Sequence, residues 1–132
     1  MSKKWIVTVK TDLGEIEYLK YKDEQKRKVT IVNFKLSAPI SPEQAKDFAE
    51  LVSTYIREFI KPENDELVAL SGRGPIWLYM MIQHYLHGSV ANLGMFDPKV
   101  GVIVIAVHSW DFKASTGEVI PVPDEVKSKL SQ

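Results

Sequence analysis

The chain's three histidines, His84, His87 and His108, and the aspartate Asp97 stand close together in sequence. On a helix, His84 and His87 at i and i+3 share a face and can ligate one metal ion together. Imidazole with a carboxylate suits zinc, manganese or iron, and the acid near them in sequence is Asp97. A second reading keeps both histidines in solvent, where a cation near a helix C-terminus interacts well with the dipole. His108 closes an apolar run, as either a catalytic imidazole or a buried one bonded to backbone. Asp97-Pro98 also reads as an aspartate turn.

Upstream lies Ser71-Gly72-Arg73-Gly74-Pro75, placed between a short apolar run and a longer one. Strand, glycine turn, helix is an arrangement that holds anions. Glycines let the backbone approach a phosphate, and the helix start presents N–H groups. Arg73 adds a charge-assisted fork. The spacing is neither a Walker loop nor GxGxxG, so a purely structural turn fits the pattern too.

These residues need elements to position them. "WIVTVKT" puts Trp5, Val7 and Val9 on one face, "DLGE" turns, and "EIEYLKY" returns as a hairpin. "KDEQKRK" mixes both signs and reads as a hairpin tip. In "VTIVNFKLS", Thr30, Val32, Phe34 and Leu36 share one face, with Val29, Ile31, Asn33 and Lys35 on the other. "SPEQAKDFAELVSTYIREFIK" predicts a helix with Ser41 as N-cap, Pro42 first and Gln44 completing a capping box. Its stripe is Phe48, Leu51, Val52, Tyr55, Phe59 and Ile60, and Pro62 stops it. Glu66–Gly72 reads as a strand, Pro75–Leu86 as a second helix with Gly88 beyond its end, and two more strands flank Asp97-Pro98-Lys99. The run Val100–Val107 is apolar on both faces, as in a strand covered on both sides. The tail offers one short strand and a frayed helix.

The order β-β-β-α-β-α-β-β predicts a small Rossmann-like mixed sheet flanked by helices, one domain over residues 1–132, with an added N-terminal hairpin. A ligand crevice is expected beyond the carboxyl ends of the parallel strands, with the Ser71–Gly74 turn at it and His108 beside it.

Composition narrows the function classes. Seventeen basic and seventeen acidic residues cancel, so steering towards extended nucleic acid, DNA included, is not expected. There is no cysteine, which excludes disulfides and thiolate metal sites. No apolar run is long enough to span a membrane, and charges interrupt the N-terminal segment as no signal peptide's core would be. The expected location is the cytoplasm.

The combination "SGRGPIWLY…HYLHG…MFDPKVGVIVIAVHS", with "FKLSAPISPEQAKDF" upstream, resembles the CRISPR-associated Csx-three family of ring nucleases. The likeness covers roughly residues 28 to 110. It implies a compact α/β fold related to the CARF domains that sense cyclic oligoadenylates. It also implies a homodimer, stacking to a tetramer on ligand, and manganese-dependent cleavage of cyclic tetra-adenylate. By position His87 and Asp97 become the catalytic pair, drawn from different dimers, with His84 joining them as metal ligands. Ser71, Gly72, Arg73, Gly74, Lys99 and His108 become substrate contacts. Two departures stand out. Lys99 replaces the family's arginine, keeping the charge without the fork. The segment around Gly94 is one residue longer than usual, which a strand bulge would absorb.

Four functions follow as expectations. The first is a metal-assisted ring nuclease that ends type III CRISPR signalling. The others are a manganese-dependent 3′ deadenylating exonuclease, a non-catalytic binder of the messenger, and an oligomeric scaffold.

Overall fold

The computed structural model describes residues 7–130, so the face expected for Trp5 lies outside the described residues. Strands β1 (Val7–Lys10), β2 (Gly14–Lys22) and β3 (Lys28–Leu36) precede helix α1 (Pro42–Tyr55). Then come β4 (Glu66–Arg73), α2 (Ile76–Leu86), β5 (Asn92–Asp97), β6 (Gly101–Val107), β7 (Val119–Ile120) and α3 (Asp124–Leu130). All seven strands form one sheet, and their order in space is their order in sequence. The pairs β1–β2 and β2–β3 are antiparallel, β3–β4 and β4–β5 parallel, and β5–β6 and β6–β7 antiparallel. This is the mixed α/β sheet expected.

The chain steps in one direction across its parallel strands, so two crossovers of the same hand must put both helices on one face. The packing agrees. Phe48, Val52, Leu78, Ile82 and Leu86 of α1 and α2 bury against Val32, Phe34, Val68, Leu70 and Leu93. The opposite residues of the same strands, Ile31, Leu67, Ala69 and Phe96, pack with Phe112, Ile120 and Val126 of the C-terminal segment. Each strand's two-residue alternation therefore serves two cores.

The capping box at α1 forms as read. Ser41 Oγ accepts from the Gln44 N–H at 3.2 Å, and Gln44 Oε1 accepts from the Ser41 N–H at 2.9 Å. The helix then widens into one π-helical turn, Ile56–Ile60, closed by Lys61 at φ 49°. That turn corrects one reading. The widened turn rotates Phe59 off the stripe, leaving it 73% exposed, while Ile60 returns to the core. A second correction concerns β6, whose neighbour β7 is only two residues long. Ile105 accordingly keeps substantial exposure at the margin of the sheet, and Val100 is exposed because it falls in the turn before β6 rather than in the strand.

The glycine turn is fixed by packing. Gly72 sits at φ +152°, and a Cβ there would lie 2.7 Å from the Phe34 carbonyl oxygen and 2.9 Å from its ring. Gly88, at φ +81°, has nothing within 4 Å of such a carbon. Both positions penalise alanine through the backbone, but only Gly72 adds a clash with buried neighbours. Gly88→Ala should cost ~1 kcal/mol, and Gly72→Ala roughly 3 kcal/mol. Urea unfolding with an unchanged m-value measures both, and equal costs would contradict the packing role given to Phe34.

Candidate functional site at the carboxyl ends of the parallel strands

Where β3, β4 and β5 end, a cleft of about 180 Å³ opens between the strand ends and α3. Asn33, Lys35, Ser71, Arg73, Pro98 and Lys129 are among the residues that line it. Lys35, Arg73 and Lys129 bring three cations to it, and Lys99 follows Pro98 directly. A chain with no net charge thus concentrates positive charge at one end, where an anion is attracted locally.

The turn that forms one wall owes its glycines to the core rather than to an open anion cradle. The space a Cβ would take at Gly74 is bounded by Leu78 and Phe34, as it is by Phe34 at Gly72. Tyr79 completes the turn by donating its O–H to the Gly72 carbonyl. Burial raises the Tyr79 pKa, which keeps that proton in place. Pro75 precedes α2 at φ −66°, without a side-chain cap.

Asp97 ends β5, between Phe96 and Pro98, which both line the cleft. Its Oδ1 accepts from the backbone N–H groups of Lys99 at 2.8 Å and Val100 at 3.1 Å. One oxygen therefore builds the aspartate turn, and Oδ2 takes no part in it. A bulge was expected to absorb an extra residue around Gly94, and this is corrected: pairing with β6 does shift between Leu93 and Gly94, but β5 itself carries no unpaired residue. The extra residue, Ile105, belongs to β6, and Asp97 remains paired with Gly101.

The histidines lie at the other end of the sheet. Helix α2 returns the chain from the carboxyl edge of β4 to the amino edge of β5, and His84 occupies its last turn with His87 as C-cap. Both are exposed, and the His84 ring meets Tyr85 edge-on at 5.1 Å. His87 has ψ 126°, so the helical face the two were expected to share breaks at His87. His108 was expected beside the glycine turn, and this is corrected. The short Pro98-Lys99-Val100 connection can only make β6 antiparallel to β5, so β6 ends where β5 begins. There the His108 N–H donates to the Ala91 carbonyl at 3.0 Å. Asn92 fastens this corner, its Nδ2 donating to the Asn64 and Glu66 carbonyls and its Oδ1 accepting from the His108 N–H.

The six residues of β5 separate the two ends by about 17 Å along the strand. Within one chain, His84 and His87 therefore do not meet Asp97. Among the described residues no three His, Asp or Glu side chains are placed to hold a metal ion.

Sequence reasoning missed Asn33, which lines the cleft with Ser71, and Glu17, which is bonded to Asn33. Asn33 Nδ2 donates to Glu17 Oε1 at 3.0 Å, and Ser71 Oγ donates to Asn33 Oδ1 at 2.9 Å. One signal was legible: Asn33 shares a strand face with Val29 and Ile31, and a polar residue on a buried face needs a partner.

Comparison with known proteins places this arrangement. The chain is 34% identical over 95 residues to an uncharacterized protein of Aquifex aeolicus (strain VF5), covering 69% of this chain and 76% of the relative. The family model for CRISPR-associated protein (Cas_csx3) matches residues 34–121, about two-thirds of the chain, from Phe34 at the glycine turn through the short strand β7. The chain belongs to the CRISPR-associated Cas_csx3 family.

Proposed function

We propose that the protein is a ring nuclease that opens cyclic tetra-adenylate into linear oligoadenylates and so ends a type III CRISPR signal. Family membership supports the setting. The observation that carries the activity is the division of the chain into two unlike ends, Asp97 with four cations at one and the histidines at the other. When the carboxyl edge of one copy faces the amino edge of another, His87 and Asp97 close on a ligand held between them. A small ring suits a cationic patch of this size better than long RNA, which a basic stripe would serve.

In this reading Arg73 and Lys99 stabilise charge on the phosphorane-like transition state. His87 of the neighbouring copy carries a proton to or from the reacting ribose or leaving oxygen near neutral pH. Manganese enters as a dependence to be measured, because the described residues of one chain do not gather a ligand set for it. Each copy also has a dimerisation surface in Ile76, Trp77 and Met80, which α2 leaves exposed because Leu78, Ile82 and Leu86 take its core face. Incubating the chain with labelled cyclic tri-, tetra- and hexa-adenylate and with a linear oligoadenylate, with and without manganese, tests the reading. Cleavage confined to linear 3′ ends would assign an exonuclease, and tight binding without products a sequestering module.

Two variants of Asp97 separate its turn from its chemistry. Asp97→Asn keeps an acceptor for the Lys99 and Val100 N–H groups and should stay within about 0.5 kcal/mol of wild type. Asp97→Ala should lose ~1 kcal/mol. Both should lose ring cleavage by at least about a hundredfold, since neither carries the charge. An active Asp97→Asn would remove the carboxylate from the chemistry.

Mixing tests the shared site. His87→Ala and Asp97→Ala should each be inactive alone. Mixed in equal amounts they should recover about a quarter of the wild-type rate, because one random pairing in four carries both intact groups. The recovered rate should fall on dilution. A mixture that stays inactive while light scattering shows the copies associated rejects the shared site.

A further inference from the structure

Glu17, Asn33 and Ser71 sit in one row across three strands. Glu17 pairs with Asn33 in the β2–β3 register, and Asn33 pairs with Ser71 in the β3–β4 register. All three are at least nine-tenths buried, at 9%, 6% and 3% relative exposure. Asn33 and Ser71 also line the cleft.

The chemistry of the row fixes its direction. An ionised carboxylate can only accept, and Glu17 is paired with Lys35 at 3.7 Å. The Asn33 amide must therefore turn its Nδ2 towards Glu17, which turns its Oδ1 towards Ser71. An amide oxygen also only accepts, so the Ser71 hydroxyl must spend its one proton on Asn33. What remains on Ser71 Oγ is lone-pair density. Such an atom repels a phosphate oxygen and attracts a hydrogen-bond donor.

We propose that Glu17, acting through Asn33, fixes Ser71 as an acceptor, so that the cleft takes a nucleoside's hydrogen-bond donor at this position. The donor is a ribose hydroxyl or an adenine amino group, and phosphates are left to Arg73 and the lysines. Glu17 is a positioning residue, since it touches Asn33 and Lys35 rather than ligand. The proposal rests on the ring-nuclease reading for its ligand. It goes beyond that reading in assigning the donor, and Glu17 and Asn33 lie outside the residues matched by the family.

The test measures binding by the full chain, at times short against turnover. Three rings are compared: cyclic tetra-adenylate, its 2′-deoxy counterpart, and the counterpart with purine in place of adenine. Wild type should bind one of the two altered rings about five- to tenfold more weakly, and which one identifies the donor. Ser71→Ala should bind the natural ring more weakly by the same factor and lose the discrimination. Glu17→Gln keeps the shape of the side chain, but its amide can donate as well as accept. The row is then free to reverse, so most of the discrimination should vanish while the unfolding midpoint holds. The wild-type chain gives a reading that needs no variant. In NMR spectra the Asn33 amide protons should show contacts to the Glu17 side chain, and an amide turned the other way overturns the proposal. So does a wild type that binds all three rings alike, or a Glu17→Gln that discriminates as wild type does; in both cases the ring-nuclease reading survives. A wild type that binds no oligoadenylate sinks that reading and this proposal together.

Discussion

A helix that joins two neighbouring parallel strands must carry the chain back to the edge from which the first strand started. In this protein α2 obeys that constraint between β4 and β5, and the division of the molecule follows from it. Whatever ends a strand, Ser71 to Gly74 or Asp97, is delivered to one edge of the sheet. Whatever ends α2, His84 or His87, is delivered to the other. The antiparallel return of β6 then sends His108 to the histidine edge. No rotamer change bridges about 17 Å of strand, so chemistry that needs both ends needs two copies.

Phe34 holds the cationic edge in shape. Its ring packs edge-on to Phe48 with centroids 5.9 Å apart and lies 5.2 Å from Tyr79. The same ring fills the space beside Gly72 and Gly74 that a Cβ would need. The strand-to-helix turn is thereby set by buried contacts before any ligand arrives, and a turn set in this way positions Arg73 at little further cost in entropy. Both readings of the glycines, anion turn and structural turn, therefore describe one object. The backbone is shaped for packing, and the charge that an anion would meet comes from side chains.

What the sequence disclosed follows the range of each signal. Ser41 and Gln44 announce the start of α1 because a capping box is complete within four residues. Alternation in Val29–Leu36 separates the two faces of β3, because the period of a strand is a local property. Phe59 was misplaced because a π turn changes the helical phase, and nothing in the residue types of that turn marks it. His108 was misplaced because apolarity records burial but not strand direction. Its direction was in fact legible in the shortness of the Asp97–Gly101 connection, which no parallel pair can use. Glu17 was invisible for a deeper reason. Its partner is chosen by register with β3, and register is a relation between two segments that neither carries alone.

The hairpin made by β1 and β2 has a role of the same kind. The family match begins at Phe34, near the end of β3, so β2 and most of β3 lie outside it. Without β2, β3 would be an edge strand with a row of unpaired backbone groups beside the site. With it, all nine residues from Lys28 to Leu36 are paired, and the carboxyl end of β3 becomes interior. Burial then makes the polar side chains there demanding, because a buried amide such as Asn33 must find partners for both its donor and its acceptor. Glu17 answers the donor and Ser71 the acceptor. The strand that closes the sheet edge thus also sets which way the hydrogen bonds run beneath the cleft. On this argument the polarity of Ser71 depends on the hairpin as well as on the matched core.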